Sequence, residues 1–244
     1  MKFKILFFTF CLIKNFVFCQ QQNIVVNYIF KIEIPDGGSA SFNKILKSNE
    51  EYSTFIDSGA ARNVGRGKVM VNDKNIDFGL FQDRTRDNSI YYSPIFNKNF
   101  YVKEDSMLGL FKWKLIDSLQ KKILDFNCKA ATCYFRGRNY TAYYTEEVAI
   151  SAGPWKFCGL PGLILEISTT DNKYSYTAFK FASQIEKINI SNPYNNVDAK
   201  FLSFKEHKKI FLKKLFDSQN KMRTDEKDTD IELNISDNSM ELLQ

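Results

Sequence analysis

Histidine occurs once in these 244 residues, as His207, and that scarcity excludes several chemistries. A Ser-His-Asp triad would have to use His207, and no GxSxG elbow accompanies it. A lone histidine with no cysteine or aspartate cluster beside it does not make a metal centre. Walker A and GxGxxG loops are also missing, so no nucleotide or other cofactor is expected. Proline (5) and glycine (11) are scarce, which argues against long disordered linkers. Past the first nineteen residues no apolar run approaches the roughly 20 residues of a membrane-spanning helix, so none is expected in the mature chain.

An excess of one charge is lacking too. The formal net charge is +6. Three of those charges, Lys2, Lys4 and Lys14, lie in a leader without acids, and the remainder is too weakly basic to suggest nucleic-acid binding. A solvated mixed-charge surface accounts for it.

What the chain has is aromatic residues, 23 Phe and 12 Tyr, and these favour strands. At this length a chain buries roughly 70% of its unfolded surface and needs no metal or disulfide to fold. The opening MKFKILFFTFCLIKNFVFC has a basic start, then an apolar run from Ile5 to Ile13 broken only by Thr9. It reads as a cleaved signal peptide, residues 1–19, cut after Cys19 to leave residues 20–244 as one domain. The alternative makes Cys19 a lipidated cysteine, against which stands the bulky Phe18. Beyond the leader, Cys128, Cys133 and Cys158 fit no zinc spacing. Two of them could form a disulfide, or all could be buried unpaired. Cys128 and Cys133 would face opposite sides of one regular strand.

Alternation with period two dominates the rest. Strands are expected over 24–34, 41–46 and 52–57, with a turn at 35–38 and a glycine-bearing loop at 59–67, and residues 89–92 and 98–104 are rich in Tyr, Phe and Ile around Pro94. Hairpins are expected over 111–130 (turning at Asp117-Ser118), over 133–145 (turning at Arg136-Gly137-Arg138-Asn139) and over 163–182 (turning at 170–173). One amphipathic helix is expected near 203–222, with Phe204, Lys208, Phe211, Leu212, Leu215 and Phe216 on its inner face and His207 at the surface or core edge. An acidic tail follows from Asp225. The resulting class is α+β, mainly antiparallel: a curved sheet or open barrel of hairpins with one C-terminal helix.

In Gly159-Leu160-Pro161-Gly162-Leu163-Ile164, Pro161 fixes φ and Gly162 tolerates a positive φ, as a type II turn requires. The apolar run that follows suits a strand buried on both faces. The hexapeptide therefore reads first as a corner feeding a central strand, and second as a turn lining a ligand cleft. The run GPWKFCGLPGLILEI, with FNCKAATCYFRGRNYTAYYTEEVAISAGP upstream and DNSMEL near the end, resembles the GLPGLI family of exported Bacteroidota proteins. Ser239 stands where that family usually has proline. The resemblance implies a periplasmic, outer-membrane-associated or secreted setting, and it implies no activity.

Arg136 and Arg138 flank a turn glycine close in sequence to Tyr143, Tyr144 and Trp155, a combination able to bind an acidic or sugar-like ligand. The plain alternative is a hairpin supported by cation–π contacts. Glu146, Glu147 and Asp171 are the carboxylates a glycosidase would draw on, but adjacent Glu146 and Glu147 on a strand point apart. These readings favour a non-enzymatic envelope protein that binds a small ligand or a protein partner, an outer-membrane receptor system among the candidates. A carboxylate hydrolase and a structural component of a surface assembly are the alternatives.

Overall fold

The computed structural model describes residues 23–34, 38–58, 62–64, 67–69, 79–95, 98–184, 188–225 and 241. The leader with Cys19, the core of the 35–38 turn, most of the 59–67 loop and the acidic tail beyond Asp225, Glu241 excepted, lie outside the described residues.

Fourteen strands form one curved, unclosed sheet. They are β1 (Asn23–Ile34), β2 (Gly38–Ser48), β3 (Tyr52–Asp57), β4 (Arg62–Val64), β5 (Gly67–Val69), β6 (Leu80–Asp83), β7 (Asn88–Tyr92) and β8 (Tyr101–Asp105). After a 3₁₀ turn at Met107–Gly109 come β9 (Lys114–Ile123), β10 (Phe126–Phe135), β11 (Arg138–Thr145), β12 (Leu163–Thr169), β13 (Tyr174–Gln184) and β14 (Phe201–Leu202), then helix α1 (Phe204–Asp225). The order across the sheet is β14-β8-β7-β6-β3-β2-β1-β13-β12-β11-β10-β9, with β4 and β5 beside β2. Every pairing is antiparallel except β14 with β8.

Alternation decides which face is buried. Ile24, Val26 and Tyr28 of central β1 are fully buried, with less buried residues between them. Leu163, Ile164 and Leu165 of β12 are buried without a break, as their unbroken apolar run implied. A register shift between β9 and β10 alters the expected phase. The 111–130 region is a hairpin, but it turns at Leu124-Asp125, with Leu124 at φ 52, and not at Asp117-Ser118. Those two residues lie instead in the stretch of β9 looped out where the β9–β10 register shifts at Lys129/Ala130. The shift buries Ala130 and Ala131 in succession, so Cys128 and Cys133 both end up buried despite their odd spacing. Cys128, Cys133 and Cys158 are buried free thiols in the structure. Burial pushes their thiol pKa values up to about 11, 12 and 12, which keeps them protonated and unreactive.

Between β11 and β12 the chain leaves the surface at Glu146 and Glu147 and crosses the interior, burying Val148, Ile150, Ala152, Lys156, Phe157, Cys158 and Leu160. Gln82 of β6 donates to the Lys156 carbonyl (3.0 Å) and Trp113 to the Cys158 carbonyl (2.8 Å). The segment therefore links β6, in one half of the sheet, to Trp113, just ahead of β9 at the edge of the other half. Its exit differs from the expected type II turn. The Gly162 amide bonds to the Leu160 carbonyl at 2.8 Å, closing a three-residue turn on Pro161. Gly162 has φ 158, far from the roughly +80° a type II turn needs. It must be glycine for another reason: a Cβ there would stand 2.0 Å from the Thr145 carbonyl oxygen.

Helix α1 starts in a capping box: the Glu206 amide bonds Ser203 Oγ (3.2 Å) while Glu206 Oε2 accepts the Ser203 amide (2.8 Å). Its packed face is rotated from the expected one. Phe204, Phe211 and Leu215 face inward, Leu212 and Phe216 face out, and His207 is buried rather than at the surface. The imidazole sits edge-on to Phe100 at 6.1 Å. Burial lowers its pKa below the ordinary 6.5, and the positive charge of Lys156 adds to this against the Ser93 backbone, Glu241 and Glu104.

Two outcomes follow from this packing. Gly162→Ala should cost at least about 1–3 kcal/mol, because backbone rather than a flexible side chain blocks the new methyl. Urea unfolding reads this as a lowered midpoint, and an unchanged midpoint would contradict it. For His207, the unfolded chain takes up the proton first on acidification, so stability should fall as the pH drops from 6.5 towards the lowered folded-state value. His207→Gln should flatten that limb of the stability–pH curve relative to wild type.

Candidate functional site

Lys156 lies between Trp155 and Phe157 in the interior segment, with its side chain only 1% exposed. A buried ammonium needs partners for all three protons, and it has them. Nζ donates to Glu104 Oε1 of β8 at 2.5 Å, to Tyr91 Oη of β7 at 3.0 Å, and to both Glu241 oxygens at 3.0 and 3.1 Å. Arg136, in the β10–β11 turn, completes a ring: its Nη1 donates to Glu241 Oε1 and its Nη2 to Glu104 Oε2. Each carboxylate thus bridges the same two cations, and the four charges cancel.

Local chemistry places each member. Arg136 and Gly137 are the two central residues of a tight hairpin turn, with φ 42 and 85, which tips the Arg136 side chain off the sheet. Glu104 shares a face of β8 with fully buried Val102, two residues away. Phe204, first in α1, lies under the Arg136 guanidinium at 3.3 Å, and Phe135 flanks it at 4.7 Å. Tyr91 and Trp155 offer ring faces to Lys156 at 4.1 and 4.7 Å. Burial alone would raise the Glu104 pKa, but Lys156 and Arg136 outweigh it and hold the carboxyl below its ordinary 4.5. Burial raises the Tyr91 phenol, reinforced by both carboxylates, so it stays a neutral donor, reaching Glu104 Oε1 at 2.9 Å.

Of the sequence candidates, Arg136 and Trp155 join this cluster. Arg138 does not. It lies over Tyr174 (4.8 Å), with Nη1 3.4 Å from Asp171 Oδ2, beside a groove of about 320 Å³ lined by Gly137, Arg138, Asn139, Thr169, Thr170 and Asp171. Tyr143 and Tyr144 point to opposite faces of β11: Tyr143 packs under Lys121 Nζ (4.4 Å), which pairs with Glu166, while Tyr144 is buried. Gly159–Ile164 forms the exit of the interior segment. Glu146 pairs with Lys129 at the surface (2.7 Å), Glu147 accepts the Asn127 amide (2.9 Å), and neither lines the groove with Asp171. The carboxylates that do converge, Glu104 and Glu241, were missed along with Lys156 and Tyr91. Among the described residues there is no cluster of three or more metal-ligating side chains, and no helix is long and apolar enough to cross a membrane.

A family model described as a protein of unknown function (Porph_ging) matches residues 136–166. That stretch holds Arg136, Arg138, Lys156 and the whole interior segment. No curated protein matches the chain. Two crystal forms of PNGF-II share the fold, each with a TM-score of 0.54, at 16% and 15% identity over 79% of this chain. The chain spans 33% of the length of PNGF-II, and the likeness is one of fold alone. A domain described as an outer membrane lipoprotein-sorting protein domain from Vibrio parahaemolyticus aligns at a TM-score of 0.32 and 8% identity, over 72% of this chain and 90% of that one, too low a score to carry an argument.

Breaking the ring one-sidedly should be costly. Lys156→Met leaves two buried carboxylates sharing Arg136 and should lower the unfolding free energy by about 3–5 kcal/mol. Glu104 is depressed in the fold, so its contribution is complete above pH 4.5 and is lost as the pH falls through the lower folded-state value. Glu104→Gln should therefore shed acid sensitivity below pH 4.5, measured by urea unfolding across pH; an unaltered acid limb would rule this out.

Proposed function

We propose that the chain is an exported, GLPGLI-type envelope protein that binds an acidic or sugar-like ligand without transforming it. The observation that carries this reading is the division of labour between the two arginines. Arg136 bridges Glu104 and Glu241 in the closed ring, whereas Arg138, paired with Asp171 and with its side chain 6% exposed, edges a groove that Thr169, Thr170, Asn139 and Asp171 also line. Hydroxyls, an amide, a guanidinium and a carboxylate on one small groove suit a hydroxylated or carboxylated ligand of about monosaccharide size. The leader at 1–19 and the resemblance of three separate motifs support an envelope setting. The short family-model match fits a protein of uncharacterised type.

A hydrolase using paired carboxylates is the second reading, favoured by the convergence of Glu104 and Glu241. It is the weaker one, because Lys156 and Arg136 hold both carboxylates in ion pairs and a general acid must carry a proton.

Isothermal titration of the purified mature chain with glucuronate, galacturonate and neutral hexoses tests the binding reading. At least one of these probes should bind, and Arg138→Gln should weaken that binding tenfold or more while leaving the unfolding free energy within about 1 kcal/mol of wild type. Binding that is indifferent to Arg138→Gln, or absent for every probe, would count against the groove.

A further inference from the structure

We infer that Lys156 and Arg136 form a carboxylate-binding site, and that this chain fills it in cis with Glu241. The receptor is complete without Glu241. Lys156 comes from the interior segment, Arg136 from the β10–β11 turn, Glu104 and Tyr91 from adjacent strands, and Phe204 from the start of α1. All of these sit on elements held by the sheet or by its interior crossing. Glu241 comes from beyond the end of α1 and belongs to no strand or helix.

Charge points the same way. Two cations against the one carboxylate of Glu104 leave a single positive charge buried among Phe135, Phe204, Trp155 and Tyr91 rings. A net charge in such a setting must be neutralised, or water must enter. Glu241 neutralises it in a two-pronged fashion. Both its oxygens accept from Lys156, and Oε1 accepts from Arg136 as well. That geometry suits a planar, two-oxygen anion. The site therefore selects a carboxylate, and any carboxylate small enough to enter competes with Glu241.

The test is replacement in the full chain. Glu241→Ala protein is titrated with sodium acetate and, at matched ionic strength, with sodium chloride at pH 7. The thermal midpoint is read for the variant, wild type and the double variant Glu241→Ala/Lys156→Met. Acetate should raise the midpoint of Glu241→Ala saturably, by about 3–6 °C when tenfold above its dissociation constant. Chloride should not reproduce the rise, and wild type and the double variant should not show it. If Glu241→Ala is unfolded without additive, the same titration reads refolding. Recovery of the folded signal in acetate but not chloride supports the site, and an unfolded state that persists in both overturns it. Equal acetate shifts in wild type and variant, or none in the variant, overturn it as well.

Discussion

The ammonium of Lys156 is the constraint around which the rest is arranged. Removing such an ion from water costs several kcal/mol even after relaxation, and only well-placed hydrogen bonds and opposite charge offset that cost. Its partners come from different stretches of chain: Tyr91 and Glu104 from neighbouring strands β7 and β8, and Glu241 from 85 residues downstream. Satisfying one nitrogen therefore fixes the position of one end of the sheet relative to the interior segment. Arg136 extends the effect to the other end, because β8 and the β10–β11 turn lie far apart in the sheet order and Glu104 joins them. The sheet stays unclosed in backbone hydrogen bonds, yet ionic bonds and the crossing segment hold it curved.

That view explains why a short run of sequence carries so much. Gly153 has no room for a side chain: a Cβ would stand 2.9 Å from both Ile164 Cβ and the Phe157 carbonyl oxygen. Trp155 adopts φ 52, a strained backbone value for a bulky residue. Gly162 lies against the Thr145 backbone. These features serve one end, the passage of an extended segment so close to β11 and β12 that Lys156 is delivered to the interior while Leu163 re-enters the sheet. The hexapeptide that stands out in the sequence is the exit of this passage, and the charge that matters sits three residues before it.

Much of the fold was legible because period-two alternation is local. The strands at 52–57, 133–145 and 163–182 follow directly from neighbouring residues. The misreadings have physical causes. A bulge at Lys129/Ala130 reset the phase of β10 and brought Cys128 and Cys133 to the buried side, which simple parity forbids. Pro161 with Gly162 satisfies two kinds of turn, and a contact with distant Thr145 decided between them. On α1 the buried face includes His207, since Phe100 supplies a ring for it, and leaves Phe216 exposed. The site was the least legible part. Glu104 and Glu241 look like surface acids in sequence, and only Lys156, a lone charge inside an aromatic run, hinted at burial. Pairings across 52 and 85 residues leave no local pattern.

The ring also bears on what kind of work the protein can do. Two carboxylates in one small space ordinarily suggest acid–base chemistry, because like charges push one pKa up and create a proton donor. Here two cations reverse the sign: Glu104 is driven towards ionisation, and the Tyr91 phenol beside it is kept neutral. A group held charged by buried partners is a poor donor, and a lysine whose every proton is bonded is a poor nucleophile. Replacing such a cluster with apolar side chains can be neutral or stabilising, so its value lies less in net stability than in what it specifies. Here it specifies that one end of the sheet, the crossing segment and a residue beyond the helix must all be present and in register. Arg138, two residues from Arg136 but on a different side of the turn, pairs with Asp171 and stacks on Tyr174 at the edge of the groove.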